Sequence, residues 1–202
     1  MWQTYDRTMK LAIGVPLVTE WIPAPFWYSF ENLKKPEDYE LITVTGALTP
    51  LAREGIVQKA IKRGCTHLLF IDSDMTFNVD AFERLLKQNK DIISGKFFSR
   101  YHPYGACAWI DDKPVNIQTL SKVDYAGLAF TLINLEIFKK IPKPWFDFRI
   151  EKNHIVGEDI AFHIKAKDCG FEAWVDPEVE VGHLVTFAVK KNKEDNIRFS
   201  RN

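Results

Sequence analysis

Two aspartates separated by one serine, Asp72-Ser73-Asp74, follow directly on the apolar run Leu68-Leu69-Phe70-Ile71. A buried strand that delivers two carboxylates to its end needs something to balance them, and a divalent cation or a nucleotide is the usual partner. In extended chain, residues two apart point the same way, so both carboxylates can address one ion or one phosphorylated ligand. Mg²⁺ and Mn²⁺ take oxygen ligands and need only one or two protein carboxylates when phosphates complete the shell. Aspartates at strand ends also cap turns, but two of them after four apolar residues favour a ligand role. Three further positions carry reactive groups. Gly157-Glu158-Asp159 opens an acidic helix start, where the helix dipole alone is reason enough for the carboxylates. Val181-Gly182-His183-Leu184 puts a histidine at an apolar strand end, as a hydrogen-bonded core group or as a metal ligand. Arg53, early in an amphipathic helix, reads by itself as an exposed helix residue.

These groups need a scaffold, and the apolar pattern supplies alternating strands and helices. Leu11 to Val18 predicts a strand interrupted by Pro16, and Tyr39 to Val44 a second one. Thr49 as N-cap and Pro50 at the first helical position start a helix through Ile56, Val57, Ala60 and Ile61, closed at Gly64. His67 to Ile71 is the strand that feeds the aspartates. A helix carrying Phe82, Leu85 and Leu86 begins near Asn78-Val79-Asp80, and Asp91 to Phe98 is another strand. This β-α-β-α-β progression predicts an α/β fold with a mostly parallel sheet covered by helices. In open sheets of that kind ligands bind beyond the carboxyl ends of the strands, where Asp72 and Asp74 fall.

From Arg100 to Asp124 the pattern loosens into a hairpin or excursion, and strand character returns at Gly127 to Asn134. Pro142, Pro144 and Trp145-Phe146 read as a loop. A helix from Gly157 to Gly170 is followed by two short strands, Glu172 to Val175 and Val179 to Leu184. No repeat or linker divides the chain. The expectation is one domain over residues 1–187 and a basic tail over 188–202, either solvated or folded over an anionic ligand.

Composition narrows the class. The chain has 202 residues, 46% hydrophobic and 27% charged, as in a soluble globular protein with a sizeable core. Its formal charge is zero, so no global field draws it to nucleic acid or to an anionic membrane. Cys65, Cys107 and Cys169 are odd in number and contain no Cys-x-x-Cys pair, which argues against a disulfide framework or a zinc knuckle. A reducing, cytoplasmic setting is the simplest reading. The amino-terminal residues lack the layout of a signal peptide, and no apolar run approaches the roughly 18 residues of a membrane span.

Taken in order, these features resemble the glycosyltransferases of the GT-A fold, in particular short family-2-like enzymes, some of them encoded by phages and viruses. The stretches that carry the resemblance are Thr49-Pro50-Leu51-Ala52-Arg53-Glu54, Leu68 to Phe77, Asp91-Ile92-Ile93-Ser94-Gly95, Val123 to Phe138 and Gly157 to Leu184. The resemblance implies an enzyme that moves a sugar from a nucleotide-sugar donor to a hydroxyl acceptor on a glycan, protein or lipid-linked molecule, with Mn²⁺ or Mg²⁺. Asp74 is then the metal ligand at the donor's diphosphate. Asp72 contacts the ribose or shares the metal, with Ser73 beside it at the nucleotide, and His183 is the late third ligand. Arg53 is implied near the nucleotide or its phosphates, and Pro16 and Val18 at the base. Gly127 belongs to the loop where donor sugar and acceptor meet. Trp109, Trp145 and Phe146 are candidate sugar platforms that serve equally well as core. Asp159, with Glu158 beside it, faces the acceptor as base or orienting group, so inversion and retention both stay open. A helix start keeps such a carboxylate ionised and makes it a weaker base.

Two departures from the family pattern refine this. The stretch Tyr125-Ala126-Gly127-Leu128-Ala129 is bulkier than the glycine-rich loop common there. The Gln-x-x-Arg-Trp type motif of processive synthases is absent, which favours transfer of a single sugar. Two other readings compete. A haloacid-dehalogenase-like phosphatase would use Asp72, Asp74 and Thr76, with Ser94 closing a later strand, but its nucleophile normally comes with the first strand. A catalytically silent nucleotide-binding module would use the same acidic edge for recognition only.

Overall fold

A computed structural model describes residues 9–17, 19–151, 154–191 and 197–201. The first half of the chain keeps the expected strands and helices and adds α1 and β4: β1 (Leu11–Leu17), α1 (Ala24–Asn32), β2 (Glu40–Thr45), α2 (Thr49–Lys62), β3 (His67–Ile71), β4 (Met75–Phe77), α3 (Ala81–Lys87) and β5 (Ile92–Lys96). The excursion then forms β6 (Ala108–Ile110), β7 (Lys113–Pro114), β8 (Ser121–Val123) and β9 (Tyr125–Ala126). The chain returns through β10 (Phe130–Asn134), the hairpin β11 (Arg149–Glu151) and β12 (His154–Val156), and α4 (Glu158–Asp168). It ends with β13 (Ala173–His183) and the pair β14 (Phe187–Lys191) and β15 (Ile197–Arg201). The described part of the basic tail is thus an antiparallel hairpin.

The central sheet has the order β2-β1-β3-β10-β5-β13-β4, with β8 beside β13. Strands β1, β2, β3, β5 and β13 all run the same way, so the sheet is mostly parallel. β10 is inserted antiparallel between β3 and β5. The geometry follows from the excursion: it leaves β5 at the carboxyl edge and re-enters at that same edge, so β10 must run back down. The insertion puts the excursion over the end of β3, above the two aspartates.

Side-chain alternation along the strands divides the core into two layers. Leu68 and Phe70 of β3 face a cluster with Ile56, Val57 and Ala60 of α2 and Phe162 and Ala166 of α4. Leu69 and Ile71 face Phe26 and Phe30 of α1 and Phe82 and Leu85 of α3. A strand buried on both faces reads as a continuous apolar run, which is why β3 was legible.

Several local expectations need correction. Leu48, not Thr49, is the N-cap of α2, with the proline still in the first turn. The two predicted strands after α4 are one, β13, whose register against β5 shifts between Asp176 and Glu180. Pro177 in that gap has no N–H for the ladder. Asp176 holds the irregularity together: it accepts from Glu178 N at 3.0 Å and from Gln88 Nε2 at 2.9 Å. α1 was not foreseen, because its start is flanked by prolines and only Phe26 and Phe30 are buried. Trp145 and Phe146 are core rather than sugar platforms. Trp145 donates to Ile141 O at 3.1 Å, and Phe146 stacks on Phe162 with ring centres 5.1 Å apart.

Candidate active site

β3 ends in a tight turn. Asp72 N donates to Ala129 O at 2.8 Å and Met75 N to Asp72 O at 3.2 Å, which turns the chain into β4 and leaves both aspartate side chains at the sheet edge. The two carboxylates have different partners. Arg53, on the first turns of α2, is 2% exposed, so it is no surface residue. Its Nη2 donates to both Asp72 oxygens at 2.9 and 3.0 Å, and its Nε to Glu158 Oε1 at 3.3 Å. The guanidinium also lies over the Phe70 ring, 5.1 Å from its centre. Burial works against the Arg53 charge, but Asp72, Glu158 and Asp159 outweigh it and its pKa is raised. Burial likewise pushes Asp72 up; Arg53 resists this and the neighbouring Asp74 adds to it.

Asp74 faces another way. Its Oδ2 accepts from Arg100 and lies 3.3 Å from His183 Nε2. Leu184 N donates to Asp74 O at 2.8 Å, and β4 pairs with β13 so that Met75 stands opposite His183. A Cβ at Gly182, before the histidine, would sit 2.5 Å from Thr76 Oγ1, so a side chain there would have to turn the threonine hydroxyl away. His183 Nδ1 lies 3.0 Å from Phe98 O, to which it donates, leaving Nε2 directed at Asp74. Burial opposes the charges of this pair, but contact wins: His183 and Arg100 hold Asp74 below the ordinary carboxylate range, while Asp74 and the Phe98 carbonyl raise His183.

A cavity of about 420 Å³ opens beside these groups. Pro16, Thr49, Ser73 and both aspartates line it, with Trp21 and Arg100. Pro16 and Ser73 thus line the same cavity as the aspartates, whereas Val18 lies outside the described residues. Thr19, Trp21 and Arg100 were missed. Arg100 had a signal: it falls just past the predicted end of β5, at the carboxyl edge where such sheets bind ligands.

The acceptor-side candidates are distributed differently. Asp159 sits in the first turn of α4, its Oδ1 accepting from Ile160 N at 2.8 Å. Burial raises its pKa, with the Ile160 amide and Arg53 opposing and Asp72 reinforcing. The expectation of a weakened base is thus reversed, because burial outweighs the helix start. Glu158 is tied to Arg53, which links the start of α4 to Asp72 at the end of β3. Gly127 is buried, and a Cβ there would lie 2.4 Å from Phe97 Cζ, so the absence of a side chain serves packing beneath the excursion. Trp109 lies on β6, opposite Tyr125. Ser94 is 1% exposed, its hydroxyl 2.7 Å from Thr131 Oγ1 and 3.3 Å from Gly127 O, which ties it into the sheet and gives the phosphatase reading no support.

No protein-family model matches the sequence, and no curated protein matches it significantly. Solved structures do match in shape. A197 from the virus STIV superposes with a TM-score of 0.67 at 17% identity, over 96% of this chain and 95% of that one. GalNAc-T7, solved with UDP, GalNAc and Mn²⁺, superposes with a TM-score of 0.61 at 13% identity. S. aureus TarS 1-349, in complex with UDP-GlcNAc, gives 0.54 at 14%. The fold is the GT-A glycosyltransferase fold. The superpositions take in 89% and 93% of this chain but only 44% and 60% of the GalNAc-T7 and TarS chains.

In a GT-A fold the test of a metal site is its donor set. Among the described residues no group of three or more His, Cys, Asp or Glu side chains converges on one point. Asp74 and His183 nevertheless offer an oxygen and an imidazole nitrogen 3.3 Å apart, a set that suits Mn²⁺ when donor phosphates supply further oxygens. Both Asp72 oxygens are engaged by Arg53. Among the described residues no helix is long and apolar enough to cross a membrane.

Proposed function

We propose that the chain is a metal-dependent glycosyltransferase that moves one sugar from a nucleotide-sugar to a hydroxyl acceptor. The observation that carries this reading is the pairing of Asp74 with His183 at the rim of a cavity of about 420 Å³ beyond the end of β3. In it, Asp74 and His183 would hold Mn²⁺ or Mg²⁺, which would supply Lewis-acid stabilisation of the charge on the leaving diphosphate in place of a protonated acid. Asp72, fixed by Arg53, is oriented toward the ribose, with Ser73 beside it and Pro16 at the base. Arg53 acts behind Asp72 rather than on the nucleotide itself. Asp159 takes the proton of the acceptor hydroxyl, and its raised pKa makes it a stronger base than an exposed carboxylate. Glu158 restrains the helix start, and Gly127 and Trp109 stand on the acceptor side. The cytoplasm is the proposed compartment.

The uridine nucleotides in GalNAc-T7 and TarS make UDP-sugars the first donors to test. Thermal denaturation with a panel of nucleoside diphosphates should show stabilisation by UDP only in the presence of Mn²⁺. Asp74→Ala should abolish the shift and His183→Ala weaken it. Slow hydrolysis of the matching nucleotide-sugar without acceptor should accompany binding, which a silent binding module would not show. If no nucleoside diphosphate with Mn²⁺ raises the midpoint, the transferase reading fails.

A further inference from the structure

Arg100 is the only cation among the described residues that line the cavity. It sits at the base of a turn closed by Ser99 N to Gly105 O at 2.8 Å and by the bridge between Phe98 and Ala106. The root of this turn is fastened to the site, because Phe98 O is the acceptor for His183 Nδ1. Its far side is open: Tyr101 is 63% exposed, and Arg100 itself 42%. Arg100 therefore reaches Asp74 from a turn whose root is fastened to the site and whose far side is exposed to solvent. A guanidinium has donors only, so it rests on a carboxylate or on a phosphate, and its fork fits both.

The charges on the two aspartates are matched in different ways. Asp72 has Arg53, which is buried and held by Asp72 and Glu158 at once. Asp74 has Arg100, on the solvent side of the same carboxylate oxygen that faces His183. Arg100 therefore occupies the Asp74 oxygen that an ion shared with His183 would take. A nucleotide-sugar brings two negative charges on its phosphates. A divalent ion on Asp74 matches that carboxylate and one phosphate charge, and leaves the other without a partner unless Arg100 stays in the cavity.

We propose that Arg100 is a tethered counter-cation that neutralises Asp74 in the ligand-free chain, yields it to the divalent ion, and moves onto the donor's diphosphate. The assignment rests on the transferase reading and makes the order of binding a property of this turn: metal alone must compete with Arg100, whereas metal and diphosphate together give it a new partner.

The test compares the wild type with Arg100→Gln and Arg100→Lys, each first checked for an unchanged circular dichroism spectrum. Mn²⁺ affinity is measured without nucleotide, and the affinities for UDP and for uridine are measured with saturating Mn²⁺. Arg100→Gln should bind Mn²⁺ alone about tenfold more tightly and UDP about tenfold more weakly, with uridine unaffected. Arg100→Lys, which keeps the charge and loses the fork, should hold Mn²⁺ affinity near wild type and lose part of the UDP affinity. It serves alone should the glutamine variant not fold. Mn²⁺ affinity in Arg100→Gln equal to or below wild type overturns the competition, and unchanged UDP affinity overturns the transfer to phosphate. Mn²⁺ bound by neither protein overturns the whole assignment. A wild type that binds Mn²⁺ but not UDP defeats the transferase reading, with the competition still measured.

Discussion

His163 supplies a quantitative test of how the acidic helix start is held. It lies one turn into α4, is 1% exposed, and packs against Phe162. Its Nδ1–H donates to Asp159 O at 2.7 Å, and its Nε2 is buried with no partner among the described residues. Burial lowers its pKa from the ordinary 6.5 to about 4, the Asp159 carbonyl offsetting only part of that. The unfolded chain therefore takes a proton between pH 6.5 and 4 that the folded chain refuses. Stability from this group is full above the unfolded value and lost as pH falls toward the folded one. The complete loss is ~3 kcal/mol at 1.36 kcal/mol per pH unit, and by pH 5 about 2 kcal/mol of it has gone. Urea denaturation of wild type and His163→Phe at pH 7.5 and pH 5.0 measures it. Phenylalanine fills nearly the same space without a nitrogen to strand, so the two should differ by no more than about 1 kcal/mol at pH 7.5. At pH 5.0 the wild type should have lost about 2 kcal/mol more than the variant. His67, lowered by burial, and His183, raised by Asp74, are present in both proteins and cancel in the difference. Equal losses in the two proteins would refute the reasoning and mean that His163 is protonated, or its pocket hydrated, in the fold.

Other consequences can be measured with the same preparations. Arg53→Met strands the Asp72 and Glu158 carboxylates and should cost about 3–5 kcal/mol in urea denaturation at pH 7; a loss below ~1 kcal/mol would mean that Arg53 does not hold them. Gly127→Ala forces a methyl group toward Phe97 Cζ and should cost about 1–3 kcal/mol, with relief in a Phe97→Leu background. Trp21, 84% exposed at the cavity, should stack on a nucleobase, so Trp21→Ala should leave the melting midpoint unchanged and weaken UDP binding by about 1–3 kcal/mol. The rate of sugar transfer should rise with pH through a pKa above the usual ~4 of a carboxylate, and Asp159→Asn should abolish that limb.

The parts of this protein that were legible in its sequence are those where a local pattern and the fold agree. β3 was readable because a strand covered on both faces is apolar throughout, and α2 because its buried residues recur on one side. β10 was found as a strand, but its direction was not, since antiparallel insertion depends on where the excursion re-enters the sheet. α1 escaped because nine residues with two buried phenylalanines carry too little periodicity. Arg53 was misjudged as exposed: its spacing in α2 cannot reveal that Asp72 and Glu158, from two other elements, close over it.

The Asp72-Ser73-Asp74 motif shows the same division on the smallest scale. Two identical side chains, two residues apart but turned toward different partners, end with pKa values displaced in opposite directions. Nothing local distinguishes them. The difference comes from partners delivered by other elements. Arg53 reaches Asp72 from the buried side, where the loss of solvent outweighs the ion pair. His183 and Arg100 reach Asp74 at the cavity rim, where contact outweighs burial. A carboxylate engaged from behind by a buried guanidinium is suited to holding one geometry. One kept ionised at the rim, with a cation that can be displaced, is suited to exchanging ligands. The difference between Asp72 and Asp74 is therefore a tertiary property, and replacing Arg53 should change the behaviour of Asp72 while leaving the contacts of Asp74 with His183 and Arg100 largely intact.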